Sequence, residues 1–157
     1  MRARALGWLV LACACESSKP AAPTPPPPSS LRVPLPDGWR ATALSSGLQV
    51  GPEGRVVLQL ESTTRPLPSL DGFLAAISAE DVEILEKEST GSFVGVRYSV
   101  STAGAPSVPE SPVKREAFLG VRQTGPRTIW CSTTGSAKSE EVEAAMTVCK
   151  SLSWEGT

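Results

Sequence analysis

What most limits the folds open to this chain is a strand, a turn and a helix in succession between Arg127 and Trp154, each regular element carrying one cysteine. From Arg127 to Thr133 the residues alternate. Ile129, Cys131 and Thr133 fall on one side and Trp130 and Ser132 on the other, which is the period of a strand covered on one face. Gly135 closes the run. Ser139 is the expected N-cap of a helix, and Glu140, Glu141 and Glu143 suit the positive end of its dipole. Val142, Ala145, Met146, Cys149 and Leu152 then recur at helical spacing as one apolar stripe, in a helix expected to end at Trp154. Cys131 is on the apolar side of the strand and Cys149 on the stripe of the helix, so a disulfide is expected to pin the helix to the sheet. The geometry is demanding, because the two Cα atoms must approach within roughly 4.4–6.8 Å. The loop it closes, of roughly 18 residues, corresponds to about 3 kcal/mol of chain entropy.

The remainder of the chain divides by composition. In residues 1–15, Arg2 and Arg4 precede an apolar run from Ala5 to Ala12, the pattern of an export signal and too short to span a bilayer, which takes about 20 apolar residues. Val10-Leu11-Ala12-Cys13 resembles the lipobox of bacterial lipoproteins, so Cys13 is the expected lipidation site. Ala12-Cys13-Ala14-Cys15 is a second register with Cys15 as the alternative. Residues 16–34 hold Pro20, Pro23 and Pro25 to Pro28 among Ala, Ser and Thr. They are expected to form an extended, disordered linker with a reach of some 40–50 Å at about 3.1 Å per residue. Residues 35–157 are then a single domain of about 120 residues, enough for one hydrophobic core.

Within that domain Trp39 to Leu44, Leu48 to Val50 and Arg55 to Glu61 read as strands, separated by Ser45-Ser46-Gly47 and Gly51-Pro52-Glu53-Gly54. Ser69 can cap a short helix with Leu70, Phe73, Leu74 and Ile77 facing inward. Val82 to Ser89, Phe93 to Val100 and Arg115 to Gln123 follow as strands, with a Pro-rich loop over 101–112. The order βββαββββα with short turns requires antiparallel pairing. The expected class is therefore α+β, an antiparallel sheet flanked by two helices.

This chain resembles the PsbP-like family of α/β sandwiches over residues 33–157. The likeness rests on Pro36-Asp37-Gly38-Trp39 before the first hairpin, the helix from Ser69, the Phe93-to-Val100 strand and the ending Ser151-Leu152-Ser153-Trp154. The family includes bacterial envelope lipoproteins. The resemblance implies a domain that binds partners or helps assemble complexes, and it supplies no shared catalytic residues.

The chemistry the chain can carry is narrowed by what it lacks. It has no His, the residue most used in metal sites and acid–base catalysis. Without Arg2 and Arg4 the 15 basic residues fall to 13 against 16 acidic ones, a net charge of −3 and the wrong sign for a nucleic-acid binder. Cys131 and Cys149 are not spaced as a zinc or C-x-x-C motif. Glu80-Asp81-Val82-Glu83 with Glu86 and Glu88 lacks the ligand pattern of a calcium loop and reads as a solvated strand face interleaved with Lys87. No cofactor, metal, catalytic residue or nucleic acid is expected. The expectation is a non-enzymatic lipoprotein of a bacterial envelope, anchored to the membrane by its N-terminus. Its domain would bind or help assemble another envelope protein. The alternative is a small-molecule-binding or weakly catalytic domain with a pocket between sheet and helix.

Overall fold

The computed structural model describes residues 30–79, 81–102, 113–125 and 127–155. Its frame is a seven-stranded, wholly antiparallel sheet. The strands are β2 (Trp39–Ala43), β3 (Gly47–Pro52), β4 (Leu58–Thr63), β5 (Val82–Thr90), β6 (Phe93–Thr102), β7 (Val113–Thr124) and β8 (Arg127–Thr133). They lie in the order β2-β3-β4-β8-β7-β6-β5, so β8 is inserted beside β4 and joins the first hairpin to the later meander. Two further short strands, β1 (Ser30–Arg32) and β9 (Ser153–Glu155), pair with each other as a separate ribbon. The expected mixture of helix and antiparallel sheet is thus present, with strand dominating.

The two helices, α1 (Leu70–Ile77) and α2 (Ser139–Lys150), lie on opposite faces of the sheet. Period-two alternation along β8 decides this. Ile129 and Cys131 join Val142, Ala145, Met146 and Cys149 of α2 in the larger core, while Trp130 points the other way. There Trp130 packs on Phe73 of α1, with ring centroids 5.8 Å apart, beside Val94, Val96 and Val121. Ser69 caps α1 as expected, its hydroxyl accepting from the Gly72 N–H at 3.2 Å.

Strand ends move by up to three residues from the sequence reading, β4 starting at Leu58 rather than Arg55, and three other differences bear on the site. Strand pairing is already present at Ser30, ahead of Leu35, because Ser30-Leu31-Arg32 finds a ladder partner in Ser153-Trp154-Glu155 that no local pattern announces. The last helix stops at Lys150 instead of running to Trp154, which belongs to β9. The N-cap of α2 is Lys138, one residue before Ser139. Its backbone N–H donates to Glu141 Oε2 at 2.8 Å, so the carboxylate replaces the expected serine hydroxyl as the group that meets the free helix end.

Candidate binding surface

Cys131 and Cys149 form the expected disulfide, with Cα atoms 6.2 Å apart and both residues fully buried. It fixes α2 over the centre of the sheet. At the same C-terminal end α2 reaches the β5–β6 hairpin, where Lys150 Nζ lies 2.6 Å from Glu88 Oε2 and 6.0 Å from the centre of the Phe93 ring. The ribbon β1–β9 takes over where the helix stops. Beneath it an open groove of about 710 Å³ runs between ribbon and sheet.

The groove is built from apolar side chains on separate elements. Leu48 of β3 and Leu60 of β4 are direct cross-strand partners and, with Ile129 of β8, form its floor. Leu31 and Trp154, opposite each other in the ribbon, form a wall. Leu44, 48% exposed at the end of the β2–β3 hairpin, forms the rim. Ser45, Ser46, Ser62 and Glu61 are the polar groups beside it, and among the described residues no basic side chain lines it. Chemically this surface can bury an apolar chain or a row of apolar side chains against hydroxyls. A second cleft of about 320 Å³ lies by the β3–β4 turn, where Arg40 and Glu53 pair at 3.6 Å in solvent.

Several charged side chains are held in ion pairs between elements. Arg55, beside that turn, grips Glu141 of α2 with both ends of its guanidinium, the NH1–Oε2 contact being 2.8 Å. Arg97 holds Glu116 across β6 and β7 at 2.6 Å. Lys114 meets Glu83 at 2.9 Å, with the Ser99 hydroxyl 3.4 Å from the same carboxylate oxygen. Each bonded cation holds its carboxyl below the usual range: Arg55 for Glu141, Arg97 for Glu116 and Lys114 for Glu83, against the opposing pull of desolvation. Burial alone pushes the Tyr98 hydroxyl up.

Of the sequence-derived sites, the structure brings together Cys131 and Cys149. Cys13, Cys15 and Glu80 lie outside the described residues. The acidic stretch is divided between ion pairs, Glu83 with Lys114 and Glu88 with Lys150. Among the described residues no cluster of acids and cysteines is arranged to hold a metal ion, and no helix is long and apolar enough to cross a membrane. Sequence reasoning missed the groove because Leu31 sat in the expected linker and Trp154 in the expected helix. The available signal was small: Leu31 and Val33 are apolar residues spaced at period two directly after a proline run. Phe73 faces inward as expected, and Phe93 and Phe118 are also core residues, whereas Trp154 is only half-buried. No protein-family model and no curated protein matches this chain.

Proposed function

We propose that this chain is an envelope lipoprotein, acylated at Cys13 or alternatively at Cys15, whose domain binds another envelope component without catalysing a reaction. The fold identity proposed with it is the PsbP-like α/β sandwich. The supporting observation is the open groove floored by Leu48, Leu60 and Ile129, which joins an exposed apolar rim to a filled core. The groove wall at Leu31 also begins just after the Pro-rich stretch, so the expected tether would enter the domain beside the binding surface. A small-molecule site draws support from the volume, which lies within the roughly 300–1,000 Å³ typical of ligand pockets. The groove's openness and lack of converging charged groups favour a macromolecular partner instead.

Two measurements test the reading. A fatty-acid analogue should label the wild type and not the Cys13→Ser, Cys15→Ser double variant; equal labelling would remove the anchor. A photo-crosslinker replacing Leu44 should capture one envelope protein in native membranes, while the same group at Lys87 on β5 captures nothing. The same yield at both positions would remove the groove as the binding surface.

A further inference from the structure

The two edges of the main sheet are built differently. On β5 the register breaks between Ile84 and Glu86, and Glu83, Glu86, Lys87 and Glu88 line a strand of nine residues. A bulge and a row of charges are the usual means of keeping an edge from pairing. At the other end, β2 has neither a bulge nor a row of charges, its one charged residue being Arg40. Its five residues, Trp39-Arg40-Ala41-Thr42-Ala43, pair with β3 in unbroken register, contain no proline, and are exposed from Arg40 onward. No other described strand pairs with its outer side.

The hydrogen-bond phase of that edge is fixed. Leu44 N–H donates to the Gly47 carbonyl at 2.8 Å, closing the β2–β3 hairpin. Bonding residues alternate in an antiparallel pair, so Leu44, Thr42 and Arg40 turn their main-chain groups toward β3. Trp39, Ala41 and Ala43 turn theirs outward, except that the Trp39 N–H is already given to the Pro36 carbonyl at 3.1 Å.

We infer that β2 is a self-association edge, pairing antiparallel with β2 of a second copy of this chain about a two-fold axis at Ala41. In that register Ala41 exchanges both main-chain bonds with Ala41 of the second copy, and each Ala43 N–H meets the Trp39 carbonyl opposite. The side chains fit the same register. On one face the bulky Trp39 stands across from the small Ala43. On the other Arg40 stands across from Thr42, so no like charges meet. An isologous contact needs this kind of self-complementarity, each residue facing a partner that faces it in return. The two-fold axis is perpendicular to the sheet, because opposite residues of an antiparallel pair share a face. Both α2 layers and both β1–β9 ribbons therefore lie on one side, and with them both Ser30 ends. Tethering at a membrane surface would raise the effective concentration and strengthen the contact.

The test uses the full chain carrying Cys13→Ser and Cys15→Ser, so that no other free thiol is present. Sedimentation over micromolar to sub-millimolar concentrations should show a monomer–dimer equilibrium. Ala41→Pro removes an outward N–H and none of the β2–β3 bonds, so it should give a folded monomer over the same range. The second readout is covalent. Ala41→Cys places its Cα about 5.5 Å from its symmetry mate, inside the disulfide range of roughly 4.4–6.8 Å, and should oxidise to a dimer. Ala43→Cys, about 14 Å from its mate, should not. A chain that stays monomeric throughout overturns the inference, as does equal cross-linking at positions 41 and 43. An Ala41→Cys chain that instead cross-links in the native envelope to a different protein would assign the edge to a partner strand and also overturn it.

Discussion

At the scale of single residues, the α2 side of the sheet is shaped by two glycines. Gly95 and Gly120 are cross-strand partners on β6 and β7, and Gly120 is also opposite Cys131 of β8. A Cβ on Gly120 would stand 2.3 Å from Phe118 Cζ, and one on Gly95 would stand 2.4 Å from Phe93 Cζ. The bare backbone thus receives two stacked rings, 6.5 Å apart, beside the disulfide. Phe118 is 1% exposed and has nowhere to swing. Gly120→Ala should cost about 1–3 kcal/mol through overpacking. Pairing it with Phe118→Leu should recover part of that loss in a double-mutant cycle by chemical denaturation. Strict additivity would mean that the ring is not the obstacle. Breaking the covalent link is a separate matter. Cys131→Ala with Cys149→Ala should lower stability by about 2–5 kcal/mol, and an unchanged melting temperature would remove that claim.

At the scale of elements, α2 is held at both ends by charge, and at its C-terminal end by sulfur as well. Glu141 receives the Lys138 N–H and the Arg55 guanidinium together, and Lys150 meets Glu88. The carboxyls of Glu141, Glu116 and Glu83 are held below their ordinary value of 4.5. Their contribution is therefore complete above that value and is lost as pH falls below it toward the folded-state values. With no His in the chain, the melting temperature should stay flat from pH 8 to 5 and drop only in acid. Glu141→Gln should flatten part of that acid drop, whereas a fall beginning near pH 6 would point to a group outside these pairs. The sequence made these elements legible where a period ran long enough. The alternation in β8 and the apolar stripe in α2 placed both cysteines on meeting faces, and their union followed. It also sent Trp130 to the opposite face, where α1 covers it. The start of α2 was less legible because Ser139 and Glu141 both suit a helix start. Which of them closes the first turn depends on Arg55, 86 residues away.

At the scale of the whole molecule, the piece least legible in sequence is the one that joins its ends. β1 and β9 are three residues each, too short for any period to show, and each acquires strand geometry only from the other. Two kinds of contact hold them. Arg32 and Glu155 pair at 3.1 Å with side chains 69% and 58% exposed. Water and salt screen such a pair, so Arg32→Ala should change stability by no more than about 0.5 kcal/mol. Leu31 instead stands opposite Trp154 and packs with it over the groove beside Leu60 and Ile129, which are 2% and 1% exposed. Leu31→Ala removes apolar area from that seam and should cost about 1–2 kcal/mol, with the loss concentrated locally. Amides of Trp154 and Glu155 should then exchange with solvent much faster, while those of β4 and β8 remain slow because the disulfide and the α2 core still hold them. Trp154 emission should shift to the red as its ring loses its apolar neighbour. If Leu31→Ala and Arg32→Ala behaved alike, the ribbon would be held by its ladder alone. The groove would then lack the apolar wall on which its binding role depends.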